Sequence, residues 1–103
     1  MSFEQWGYEF DGAYSVADRL QPRAGVYVVW CKIEDKWKVI GVGQSENVGK
    51  QLADGERTLC WADECKPGTI YFAATYTDGA PESERKCIEQ LIRRLTNNLR
   101  EGA

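Results

Sequence analysis

There is no histidine in this chain. The side chain whose ordinary pKa best suits a general base near neutrality is therefore missing, and with it the usual nitrogen ligand for zinc. Closely paired cysteines are lacking as well. Of Cys31, Cys60, Cys65 and Cys87, only Cys60 and Cys65 are near neighbours, so the paired two- to four-residue gaps of a four-thiolate zinc site are absent. Free thiols packed as small hydrophobes are expected instead. No long apolar run exists: the longest, AGVYVVWC from 24 to 31, falls far short of the roughly 20 residues a spanning helix needs. The opening MSFEQWGYEF has neither a basic n-region nor an apolar h-region. These features predict a cytoplasmic protein, in a compartment where disulfides rarely persist. Nor is there a basic excess. A net charge of −3 argues against indiscriminate grip on nucleic acid, which depends on neutralised phosphates. Arg85, Lys86, Arg93, Arg94 and Arg100 gather against Glu89 near the end of the chain, as a local basic patch or a solvated helix face.

What is present describes a folding domain. With 43% hydrophobic residues, 28% charged residues and four tryptophans, the chain lies outside the composition of disordered proteins. Its 103 residues suit a single domain with one core. Trp6, Tyr8 and Phe10 alternate with polar or small residues and run into Asp11-Gly12, predicting a short strand closed by a turn. SVADRL (15 to 20) predicts one or two helical turns before Pro22. GVYVVWCKI (25 to 33) and WKVIGV (37 to 42), joined by the polar EDK, read as an antiparallel hairpin. A short helix is predicted from Glu46 to about Asp54, with Gly55 as terminator. ERTLCWADECKPG shows no dominant period, although Leu59, Cys60 and Trp61 can pack. TIYFAATYT (69 to 77) is a strand, and DGAPESERKCIEQLIRRLTNNL is the clearest helix, with Ile88, Leu91, Ile92, Leu95 and Leu99 as its apolar stripe. The predicted fold is α+β, a small three-stranded antiparallel sheet flanked by helices, with residues 1–21 as an N-terminal extension.

VIGVGQSENV, from 39 to 48, carries two glycines behind a β-branched run. A dinucleotide fingerprint requires a third glycine where Glu46 stands, and a phosphate-binding Walker loop requires a Gly-Lys-Ser/Thr that Gly49-Lys50-Gln51 does not supply. A strand, a tight glycine passage and a helix entry remain, with Ser45 or Asn47 able to accept a hydrogen bond from an unpaired N–H.

The order strand, strand, helix, strand, helix, together with Gly25-Val26-Tyr27 just after Pro22 and Val42-Gly43-Gln44-Ser45 followed by Asn47-Val48, resembles the GIY-YIG nuclease family over about residues 22–97. The late RKCIEQLIRRL, with Glu89 before its aliphatic pair, is similar to the family's acidic helix. The resemblance implies metal-assisted phosphodiester cleavage: a divalent cation, Mg or Mn, held by Glu89, and Tyr27 helping to activate water. It places Gly43, Ser45, Asn47, Lys50, Gln51 and Arg57 beside a DNA substrate. Three departures follow. The second tyrosine of the motif falls on Gly41, the helix arginine falls on Gln51, and no histidine serves as base. Losing one preorganised electrostatic group commonly costs ~10²–10³ in rate. The expected protein is therefore a GIY-YIG-like domain with a degenerate site, acting as a nucleic-acid- or protein-binding module. One alternative is an active divalent-metal-dependent DNA endonuclease in which Arg57 or Lys50 replaces the missing arginine; the other is a protein-interaction domain with no nucleic-acid role. Each site residue also has a structural explanation. Tyr27 suits strand packing, Glu89 pairs at i,i+4 with Arg85 or Arg93, and Glu84 competes with Glu89 for the acidic position.

Overall fold

The computed structural model describes residues 2–16, 19–53 and 56–101, with side chains described for all of these except 56–58 and 97–101. The elements are β1 (Ser2–Gln5), β2 (Tyr8–Tyr14), β3 (Gly25–Ile33), β4 (Lys36–Ser45), α1 (Val48–Ala53), α2 (Glu56–Cys65), β5 (Thr69–Tyr76) and α3 (Glu82–Glu101). The strands form one antiparallel sheet in the order β1-β2-β5-β3-β4. The fold class is α+β, as the residue pattern predicted, but the sheet has five strands rather than three.

The two additional strands come from the N-terminal segment. Trp6 and Gly7 both take positive φ, 55° and 83°, and form a two-residue hairpin turn that brings Gln5 opposite Tyr8. The turn expected at Asp11-Gly12 does not form. β2 runs through it because Gly12 lies against β5, where an added Cβ would meet Ala73 Cβ at 2.8 Å. The helical turns expected over 15–20 fall partly on residues 17 and 18, outside the described residues. Leu20, which closes that segment, is buried.

Alternation along the strands sorts the core into two faces. Val26, Val28 and Ala73 join Phe10, Val42, Ile88 and Ile92 in the cluster beneath α3. Tyr27, Val29, Phe72 and Ala74 join Leu20, Val48 and Leu52 in the cluster beneath α1 and α2. A register shift in the β3–β4 pairing sets Val29 opposite Gly41 and Trp30 opposite Val39. Ile40 is the extra residue, and β4 changes side-chain phase there.

The segment without a clear period is helix α2. Its apolar contacts are few: Trp61 packs on the core and Cys65 is buried, while Leu59 is 71% exposed and Cys60 is exposed. Of the three residues expected to be able to pack, Trp61 does so, while Leu59 and Cys60 do not. Among the described side chains of α3 the buried positions are Arg85, Ile88, Ile92 and Thr96, while Leu91 is exposed and Leu95 half-buried; Leu99 of the predicted stripe lies outside the described side chains.

Cys31 and Cys65 form a disulfide, with Cα atoms 5.5 Å apart, linking β3 to the end of α2. This corrects the expectation of four free thiols; Cys60 and Cys87 remain free. A disulfide is at odds with the reducing compartment anticipated from the sequence. Among the described residues, no helix is long and apolar enough to cross a membrane.

Candidate functional site

The strand-to-helix turn after β4 is closed by its own residues. Ser45 Oγ accepts from Asn47 N–H at 3.0 Å, and Asn47 Oδ1 accepts from Lys50 N–H at 3.0 Å, the geometry of an N-cap. Val48 N–H donates to the Arg23 carbonyl at 2.9 Å, Gly49 N–H to that of Gln21 at 3.2 Å, and Gln51 N–H to that of Asn47 at 3.1 Å. The first four N–H groups of α1 are thus all committed, and none is left to cradle a phosphate. Lys50 and Gln51 are exposed. The Arg57 side chain lies outside the described residues.

Gly41 and Gly43 serve packing beneath α2. Tyr27 is directly opposite Gly43 in the ladder, and its phenol lies across the place a Gly43 side chain would occupy. The Trp61 indole does the same at Gly41, where an added Cβ would come within 2.8 Å of Cε2. The two rings meet edge to face at 6.3 Å. Tyr27 is 2% exposed, so its side chain is packed into the core and little of it is presented to a cleft.

Glu89 stands elsewhere. Helix α3 packs through Ile88 and Ile92 on the sheet face opposite that of Tyr27, so the phenol and the carboxylate are not brought together. Glu89 Oε2 accepts from Arg93 Nη2 at 3.2 Å, and the same Nη2 donates to the Val42 carbonyl at 2.6 Å. Of the two arginines four residues away, Arg93 is the partner, while Arg85 is buried with its Nε on Gln44 Oε1 at 3.0 Å. Glu84 is exposed. Glu89 offers a single carboxylate already paired with a guanidinium, and no group of three or more His, Cys, Asp or Glu gathers as metal ligands among the described residues. These residues do not fit a divalent-cation site.

Sequence reasoning missed a polar cluster around Asp11. Tyr14 donates to Asp11 Oδ1 at 2.5 Å and Tyr76 to Oδ2 at 2.6 Å, while Tyr76 also accepts from Gln21 N–H at 3.0 Å. The Arg23 guanidinium lies 4.3 Å over the Tyr76 ring and pairs with Asp78. Burial, and then the bond to Asp11, push the Tyr76 phenol up to about 12. The Tyr14 phenol is raised chiefly by its hydrogen bond to Asp11. Both phenols therefore stay protonated as donors, and the cluster fastens the 21–23 segment over β2 and β5. No local signal marked it, because its members are 65 residues apart in the chain.

The open surface is on the α3 face. Beside Thr96, where α3 leaves part of the sheet uncovered, a cavity of about 1190 Å³ is lined by Phe3, Trp6, Trp30 and Trp37, with Lys36 and Lys38. Trp6 and Trp30 are nearly parallel, 6.0 Å apart at 8°, and Phe3 lies 5.6 Å from Trp30. Trp37, half exposed, packs against Tyr71 at 5.0 Å with the Lys32 ammonium 5.2 Å from its ring. The period-two aromatics of the first ten residues were the available signal; that β1 would reach across to β3 was not readable locally.

Comparison of the chain with protein-family models, with curated proteins and with solved structures gives no match.

Proposed function

We propose that this chain is a nucleic-acid-binding domain laid out like the core of a GIY-YIG nuclease and without its cleavage machinery. The layout is supported by the Gly25-Val26-Tyr27 strand at the centre of the β5-β3-β4 segment, with Val42-Gly43-Gln44-Ser45 paired beside it. The carrying observation is the burial of Tyr27, packed under Trp61 and against Gly43 with only 2% of its surface exposed. A phenol that activates water must reach water. The indole of Trp61 also takes the space beside Gly41, where the family's second tyrosine would stand. On the other face, Glu89 is spent on Arg93. What such a domain retains is binding.

The test is a nicking assay on supercoiled DNA with Mg or Mn, run beside DNA-binding measurements at low and moderate salt. The expected result is no metal-dependent cleavage, together with binding that strengthens as salt falls. Cleavage that disappears in Glu89→Ala would overturn the proposal in favour of an endonuclease using Lys50 or Arg57. Absence of binding at either salt would leave a protein-interaction domain, the reading that the net charge of −3 favours.

A further inference from the structure

We propose that helix α2 is a redox-released cover: the Cys31–Cys65 disulfide latches it over the Tyr27, Gly41 and Gly43 face of the sheet, and reduction of that bond by a dithiol frees the helix while the sheet stays folded. This goes beyond the nucleic-acid-binding reading and does not depend on it. Glu89, paired with Arg93, remains on the opposite face, so uncovering Tyr27 assembles no metal site.

Three observations carry it. First, α2 buries the least of the three helices among their described side chains. Helix α1 buries Val48, Gly49 and Leu52 and donates N–H groups to the carbonyls of Arg23 and Gln21, and α3 buries Arg85, Ile88, Ile92 and Thr96. In α2 only Cys65 is buried; Trp61 and Ala62 are half-buried, and Leu59, Cys60, Asp63 and Glu64 are exposed. Its 10 residues fall short of the roughly 12–15 at which an isolated helix is even marginal, so α2 relies on what ties it down. Second, the tie is covalent and joins a fixed element to a loose one. Cys31 belongs to β3, which is paired on one side by β4 and on the other by β5, whereas Cys65 is the last residue of α2. When the bond opens, the strand keeps two ladders and the helix keeps chiefly Trp61. Third, the chain carries two exposed free thiols, Cys60 and Cys87, beside its disulfide. That mixture suits surroundings in which thiols persist, where a protein disulfide forms and breaks with the redox state.

The exchange balances with a dithiol as the reductant. One of its thiolates attacks the Cys65 sulfur, the Cys31 sulfur leaves as a thiolate and takes a proton, and the second thiol of the reductant resolves the mixed disulfide. The chain gains two electrons and two protons as a pair of thiols, and the dithiol becomes a disulfide. Cys31 is 4% exposed and Cys65 1%, so attack waits for the end of α2 to lift. Local opening supplies that access without global unfolding. Once α2 is released, the Trp61 indole leaves the space beside Gly41 and its edge-to-face contact with Tyr27. The tyrosine ring then meets solvent beside a strand that carries no side chain at 41 or 43.

The test uses the full chain with Cys60→Ser and Cys87→Ser, both at exposed positions, so that the latch supplies the only thiols. The air-oxidised protein is compared with the same protein reduced by dithiothreitol without denaturant, by thiol titration and by amide hydrogen exchange read peptide by peptide. Reduction is expected to free both latch thiols and to make the α2 amides exchange about 30- to 1,000-fold faster, with β3 and β5 unchanged. Adding Cys31→Ala with Cys65→Ala removes the latch without a reductant. In that variant tetranitromethane is expected to nitrate Tyr27 at least about tenfold faster than in the oxidised chain. Four results would each overturn the inference. They are a disulfide that does not form in air or resists dithiothreitol without denaturant, α2 equally protected in both forms, Tyr27 nitrated at the same rate with and without the latch, and protection lost from β3 and β5 together with α2. The last would make the bond a staple of the whole fold. None of them bears on the DNA-binding measurements, so the two proposals fail separately.

Discussion

The two faces of the sheet differ in how much of their chemistry they keep for themselves. Beneath α1 and α2, Tyr27 is shut against Gly43, Trp61 covers Gly41, the turn N–H groups are all bonded, and Asp11 accepts from two phenols. Beneath and beside α3, the half near Ile88 and Ile92 is filled, but the half near Trp30 and Trp37 is not. Polar groups on the first face satisfy one another and stabilise the fold. Aromatic groups on the second remain available. In this chain the motif-like residues are structural, and the open surface is lined by residues outside the recognised motifs, although β3, β4 and α3 carry both.

The sharpest way to break that contrast is to truncate one aromatic on each face. Phe72→Ala, in the filled cluster at 1% exposure, is expected to cost about 3–5 kcal/mol. Trp37→Ala should cost under about 1.5 kcal/mol, mostly its contact with Tyr71. Chemical denaturation of the two variants checks the difference, and similar losses would mean that the groove is part of the core. Next in size is Gly43→Ala, whose new methyl group would overlap the Tyr27 phenol and should destabilise by about 1–3 kcal/mol. Combining it with Tyr27→Phe, which removes the nearest atom, should recover part of that loss; strict additivity in the double-mutant cycle would contradict the enclosure of Tyr27.

The smallest effect concerns the Asp11 cluster. Tyr76→Phe leaves Asp11 Oδ2 and Gln21 N–H without this partner and is expected to cost about 1–2 kcal/mol. Because the Tyr76 phenol is raised to about 12 from an ordinary 10.0, its contribution is fully present below pH 10 and is lost as pH climbs from there through 12. Stability measured against alkaline pH should fall less steeply over that window in Tyr76→Phe than in the parent chain. Identical slopes would show that Tyr76 titrates as an ordinary tyrosine.

Much of the fold was legible because its signals are local. The β3–β4 hairpin follows from two β-branched runs around a polar turn, β5 from TIYFAATY, and α3 from its helical spacing. Helix α2 was not legible, since Trp61 and Cys65 alone give too weak a period, and the strand pair β1–β2 was half legible because its turn uses Trp6-Gly7 rather than the more turn-like Asp11-Gly12. At the site, Ser45 and Asn47 could be read as capping residues from their type and position. The partner of Glu89 could not: Arg85 and Arg93 are equivalent in spacing, and only the approach of β4, with Val42 offering its carbonyl, selects Arg93.

The sequence by itself determined the central hairpin, β5, α3 and the residues that cap the hairpin's exit, because propensity, period-two alternation and hydrogen bonds between near neighbours act over a few residues. The tertiary structure alone decided which side of the sheet each side chain faces, that Cys31 meets Cys65, that Asp11 gathers Tyr14 and Tyr76, and that Trp6, Trp30 and Trp37 line one groove. A bulge of one residue or a rotated helix stripe changes those outcomes without changing any local preference, and long-range pairing is where that choice is made.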